Sequence, residues 1–88
     1  MSFLSENIIP GNYGKIFRTD AKKEKNLLKI KETLLKLHGI KEVILNQDVF
    51  PFEFEIHTSK VIKVEDIENA VKTVGFHAIA KGSIFALL

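Results

Sequence analysis

The fold is decided by residues 50–57, whose sequence is FPFEFEIH. The even-numbered residues of this stretch are three phenylalanines and an isoleucine. The odd-numbered residues are a proline, two glutamates and a histidine. Successive side chains of a β-strand point to opposite faces of its sheet, so this stretch predicts a strand with one apolar and one charged face. Such a strand is typical of an antiparallel sheet that is covered on one side only.

An amphipathic helix is predicted before this strand, from about Lys22 to His38. Gly39 follows the helix at the position where a glycine commonly ends one, and Asp20 is a candidate N-cap. The apolar residues recur at helical spacing; they are Leu27, Leu28, Ile30, Leu34, Leu35 and Leu37.

The remaining periodic segments complete the predicted order of elements. Strands are predicted at residues 13–19, 41–47 and 76–81, and a second helix follows residues 58–63 and ends at Gly75. The order strand, helix, strand, strand, helix, strand predicts an α+β, ferredoxin-like βαββαβ sandwich. Its four-stranded antiparallel sheet carries both helices on one face.

The two ends of the chain are more apolar than solvated tails need to be. We divide the chain into an arm (1–12), the ferredoxin-like domain (13–82) and a tail (83–88), which is either an extra C-terminal strand or an arm received by another chain. Either the ends fold onto their own domain, or they associate with another chain at a sheet edge. The residues of this candidate association surface are Phe3, Leu4, Ile84, Phe85, Leu87 and Leu88.

Composition excludes several classes of function. The 88 residues suit one domain, and a hydrophobic content of 45% predicts a folded one. A net charge of +2 is too weak to indicate nucleic acid or an anionic membrane. The absence of cysteine excludes disulfides, thiolate metal sites and cysteine nucleophiles. With neither a signal-peptide pattern nor a membrane-length apolar run, we expect a cytoplasmic protein.

Three segments resemble the heavy-metal-associated domain of copper chaperones and copper-pump N-termini. They are the helix-to-strand junction LHGIKEV (37–43), the alternating strand, and VEDIENAVKTVGF (64–76), which is similar to the family's second helix and its closing Gly-Phe. The resemblance covers about residues 13–82. It implies the ferredoxin-like fold and a metal loop between the first strand and the first helix.

That loop departs from the family's Met-x-Cys-x-x-Cys motif. Alignment on Leu27 and Ile30 places Lys23 and Asn26 at the cysteine positions, and residues 19–26 contain no sulfur. Cu(I) is selected by thiolates and thioethers, whereas lysines repel a cation. We therefore expect no metal and no cofactor. The degenerate loop positions are Asp20, Ala21, Lys22, Lys23 and Asn26.

The histidines and the lysines at the start of the first helix are either ordinary solvated side chains or two further kinds of binding site. Imidazoles suit zinc, nickel or copper(II), but the topology places His38 and His57 near one end of the domain and His77 near the other. Lysines at the start of the first helix offer contacts to an anion, although no glycine-rich loop precedes them. These lysines are Lys22, Lys23 and Lys25.

Enzymatic alternatives have less support. Acylphosphatases share the topology, and Phe17-Arg18 is similar to the arginine that ends their first strand, but their glycine-rich loop and asparagine motif are missing. Glu53 and Glu55 are expected on the solvent side of the sheet, where they also oppose RNA binding. We predict a non-enzymatic binding module for protein contact or self-association. Divalent-metal binding or metal homeostasis through histidines is the alternative, and an acylphosphatase-like hydrolase the second alternative.

Overall fold

The computed structural model describes residues 7–87, so Phe3, Leu4 and Leu88 lie outside the described residues. The elements are β1 (Ile8–Ile9), β2 (Tyr13–Thr19), α1 (Glu24–Leu35), β3 (Ile40–Asn46), β4 (Glu53–Thr58), β5 (Ile62–Lys63), α2 (Val64–Thr73) and β6 (Ala78–Ala86).

Four strands form one antiparallel sheet in the order β3-β4-β2-β6. The predicted α+β class, with two helices and antiparallel strands, is confirmed, and the strand order is compatible with a ferredoxin-like arrangement. A second, two-stranded sheet joins β1 to β5. It was not predicted, because strands of two residues carry no periodic signal.

One core lies between the helices and one face of the four-stranded sheet. The rings of Phe17 and Phe54 stack at its centre, with centroids 5.4 Å apart and planes 6° apart. Residues from both helices belong to the same buried cluster. Its helical members are Ile30, Leu34, Val64, Ile67, Ala70 and Val71.

Helix α1 is shorter than predicted. It begins at Glu24, its N-cap is Lys23, and no side chain caps it, so the prediction of Asp20 as N-cap is wrong. Asp20 instead accepts a hydrogen bond from the His77 backbone N–H at 2.8 Å, which draws this part of the chain toward the strand β6. The helix ends at Leu35 with Lys36 as its C-cap, so the prediction that Gly39 ends it is wrong: Gly39, with φ +101°, lies in the turn that leads directly into β3.

The C-terminal tail does not form a separate strand in the described residues, so that prediction is wrong. Strand β6 runs through Gly82 to Ala86 and pairs with the start of β2 across a register shift. The Nζ of Lys15, a residue only 2% exposed, donates to the Gly82 carbonyl oxygen at 2.6 Å at this irregularity. Ile84 packs against the core, which favours the alternative that this end folds onto its own domain.

The N-terminal segment is also part of the fold from Ile8 onward. Ile9 is fully buried and pairs with Ile62. The turn that follows is held by the buried Thr58, whose Oγ1 lies 2.5 Å from the Pro10 carbonyl oxygen and accepts from the Tyr13 N–H at 3.2 Å.

Candidate functional site

The face of the four-stranded sheet opposite the helices carries a regular array of side chains, which we call the sheet face. The pairing register sets twelve positions in three cross-strand rows. The rows, from β3 across to β6, are Glu42-His57-Gly14-Phe85, Ile44-Glu55-Ile16-Lys81 and Asn46-Glu53-Arg18-Ile79.

His57 lies between two carboxylates on this face. Its Nε2 contacts Glu55, and its Nδ1 lies 3.5 Å from Oε1 of Glu42. The Phe85 ring meets the imidazole edge-on with centroids 6.3 Å apart. Gly14 makes room for this ring, because a Cβ there would lie 2.5 Å from it. These contacts leave the His57 side chain 15% exposed.

Glu53 is paired as well, and it is more buried than its place on a solvent side predicts. Its side chain is 10% exposed and accepts from Nζ of Lys81 at 2.6 Å. Arg18 lies directly across from Glu53, yet among residues 7–87 no carboxylate lies within salt-bridge distance of Arg18. The three glutamates of the sheet face therefore each contact a basic side chain, whereas the exposed Arg18 has no acidic side chain within salt-bridge distance in the described part of the chain.

Aliphatic side chains remain in solvent on the same face. Ile44 is 40% exposed and Ile79 is 68% exposed, on the two outer strands. Ile16 between them is half-buried. The sheet face therefore combines paired charges with uncovered apolar surface.

The loop between β2 and α1 is held against the start of β6 by hydrogen bonds. Oδ2 of Asp20 lies 3.2 Å from Nδ1 of His77, and the Thr19 hydroxyl donates to the His77 carbonyl oxygen at 2.7 Å. The pKa of Asp20 lies below its ordinary 3.8, chiefly because the His77 N–H donates to the carboxylate; partial burial opposes this, and the His77 imidazole supports it. Ala21 is fully buried in the core, so this loop position is structural.

We expect Asp20→Asn to lower stability by about 0.5 kcal/mol at neutral pH, because the charged acceptor of the His77 N–H is replaced by a neutral one at an exposed site. Because folding depresses the pKa of Asp20, its contribution is present above the ordinary pKa and is lost as pH falls through the folded value. Thermal unfolding should therefore separate the two proteins at pH 7 and bring them together at a pH well below 3.8. Asp48→Asn is the matched control, and an equal loss at both pH values would contradict the assignment.

A cleft of about 200 Å³ lies where the third row of the sheet face meets this loop. It lies at the end of β2 and the start of β6, and the β3–β4 connection closes it, since the Thr19 N–H donates to the Phe52 carbonyl oxygen at 2.9 Å. We call it the Ile79 cleft; its lining residues are Arg18, Thr19, Asp20, Pro51, His77 and Ile79.

The three histidines are not brought together. His77 contacts Asp20, His57 contacts two glutamates, and Nε2 of His38 lies 3.0 Å from Nζ of Lys60. Within residues 7–87 no group of three or more histidine or acidic side chains is arranged to hold a metal ion.

The lysines proposed for an anion remain solvated in this structure. Lys22, Lys23 and Lys25 are all exposed, and the helix they precede begins without a side-chain cap. Asn26 was predicted in the loop before the first helix, but it lies in the first turn of α1, where its backbone N–H donates to the Lys23 carbonyl oxygen at 3.1 Å.

Sequence reasoning did not single out the Ile79 cleft. One signal was present, because Ile79 stands at a polar position in the alternation of residues 76–81. The contribution of Pro51 depends on how the β3–β4 connection closes over β2, and local periodicity does not report that contact.

Together these features define a small α+β domain with a partly apolar sheet face and a cleft at its edge. Comparisons of the chain with protein-family models, curated proteins and solved structures each return no match. No helix within residues 7–87 combines the length and the apolar character needed to cross a membrane.

Proposed function

We propose that this chain is a small, non-enzymatic binding module that contacts another protein through its sheet face. We further propose that its architecture is the ferredoxin-like βαββαβ sandwich of a heavy-metal-associated-like domain without thiolate metal binding. The strand order β3-β4-β2-β6 supports the fold. The sulfur-free loop, with Asp20 bound to His77, supports a role other than Cu(I) transfer.

The observation that carries the binding proposal is the exposure of Ile44 and Ile79, by 40% and 68%, on one sheet face. Covering an isoleucine removes apolar surface from water, and full burial contributes about 1.5–3 kcal/mol. Two such side chains on one face give a partner more to bury than one isolated exposed residue would.

Pairing between charged side chains lowers the free-energy cost of covering the sheet face with a partner protein. An uncompensated charge that loses its water is costly, whereas a charge already held by a neighbour is less so. Glu53 contacts Lys81, and His57 contacts both Glu42 and Glu55. A partner can therefore cover Glu53 together with its lysine, whereas Glu42 and Glu55 share one imidazole, so at least one of these two carboxylates has to keep contact with water or receive a donor from the partner.

Affinity capture from an extract of the source cells tests the proposal. We expect a protein retained by the wild-type chain to be lost at least tenfold from Ile44→Arg and from Ile79→Arg, since each removes apolar contact and adds a charge. Val49→Arg is the matched control, because Val49 is also 40% exposed but lies in the β3–β4 connection. Equal retention by all four proteins would contradict binding through the sheet face.

A further inference from the structure

We propose that the Ile79 cleft receives one large apolar side chain of the partner, with a carboxylate beside it that pairs with Arg18. The inference rests on the proposed function, because the cleft adjoins the third row of the sheet face. It names the chemistry of the partner: a segment that presents an aromatic or large aliphatic side chain next to an acidic group.

The size of the cleft fits one side chain. A cavity of about 150 Å³ accommodates a benzene ring, and the Ile79 cleft has about 200 Å³. Pro51 and Ile79 supply aliphatic walls, and Ile79 is 68% exposed until something covers it. Binding energy at protein interfaces concentrates in such anchors, where one side chain fills a pocket.

The charge of the partner follows from Arg18. Within the described part of the chain, Glu53 is held by Lys81 and Asp20 by His77, and neither lies within salt-bridge distance of Arg18. A guanidinium without an acid is complementary to a carboxylate, which it can bind through two parallel N–H groups.

The test uses N-acetyl-phenylalanine, which joins a phenyl ring to a carboxylate, and its neutral counterpart, N-acetyl-phenylalanine amide. Each is titrated into the full chain labelled with ¹⁵N, and the amide signals of Arg18, His77 and Ile79 are followed. We expect saturable shifts with a dissociation constant on the order of 1 mM for the acid. The amide should bind about fivefold more weakly, as loss of an exposed ion pair implies.

Two variants and one further probe complete the design. Arg18→Gln should bind the acid and the amide equally, whereas Lys22→Gln should keep the wild-type difference, because Lys22 does not line the cleft. Acetate alone should give no saturable shift of these signals. The inference is overturned if the acid gives none up to about 20 mM, if the wild type binds both compounds equally, or if acetate reproduces the shifts.

The two proposals fail in different ways. If N-acetyl-phenylalanine does not bind while Ile44→Arg and Ile79→Arg still abolish capture, the cleft inference is wrong and the sheet face stands. If the compound binds as expected while capture is unaffected by both variants, the proposed function is wrong and the cleft remains a binding site for this chemistry.

Discussion

Replacement of Ile9 by alanine is expected to destabilise the domain by about 2–5 kcal/mol, the usual cost of truncating a buried isoleucine. Ile9 is fully buried, belongs to the core cluster and pairs with Ile62. A domain of this size has a total stability of about 4–13 kcal/mol. The loss therefore takes a large share of the free energy of unfolding, and urea denaturation of Ile9→Ala should show it as a lower midpoint.

The neighbouring residue provides the control. Ile8 lies in the same two-residue strand, but it is half-buried, so Ile8→Ala removes less buried surface and should cost less than half as much. If the two variants lost equal stability, or if Ile9→Ala cost under about 1 kcal/mol, the segment would not be integrated into the core as the structure shows.

The burial of Ile9 was not predictable from the sequence pattern. Periodicity predicted the two helices and the alternating strand, because each apolar stripe repeats several times within one element, but the strand was predicted too long: β4 begins at Glu53, and residues 50–52 lie in the β3–β4 connection, where Phe50 is 68% exposed. A two-residue strand repeats nothing, so residues 1–12 were interpreted as an arm. In the folded chain Ile9 pairs with Ile62, which lies 53 positions away in the sequence, and no local pattern predicts that pairing.

The sheet face was predictable in part. Alternation predicted that Glu53, Glu55 and His57 share one side of a strand, and the register confirms it. The burial of Glu53 was not predictable, since it depends on Lys81 from a strand two positions away in the sheet. The role of Asp20 was not predictable for the same reason. An aspartate just before a helix is a common N-cap, but the carboxylate of Asp20 accepts a hydrogen bond from the distant backbone N–H of residue 77 instead.

Replacement of Thr58 by valine is expected to lower stability by about 2–3 kcal/mol, because it removes the hydroxyl while keeping nearly the same shape. Thr58 is fully buried, and its Oγ1 lies 2.5 Å from the Pro10 carbonyl oxygen and accepts from the Tyr13 N–H at 3.2 Å. Valine leaves those two backbone groups without this partner in a half-buried turn. An unsatisfied buried group costs about 1–3 kcal/mol.

The same turn links both ends of the described chain, so the effect should be local as well as global. Asn12 adopts φ 65° within it, donates to the Thr58 carbonyl oxygen at 2.9 Å and accepts from the Leu87 N–H at 3.0 Å. Hydrogen exchange of Thr58→Val should therefore show faster exchange at Asn12 and Leu87 than the global loss explains.

Thr58→Ser separates the hydroxyl from the methyl group. Serine keeps the donor and acceptor and loses only one buried methyl, which costs about 1 kcal/mol. We therefore expect serine to be the milder change in urea denaturation and to keep the Leu87 amide protected. If valine proved as stable as serine, water or a neighbouring group would satisfy the turn, and packing of the methyl group would be what Thr58 contributes.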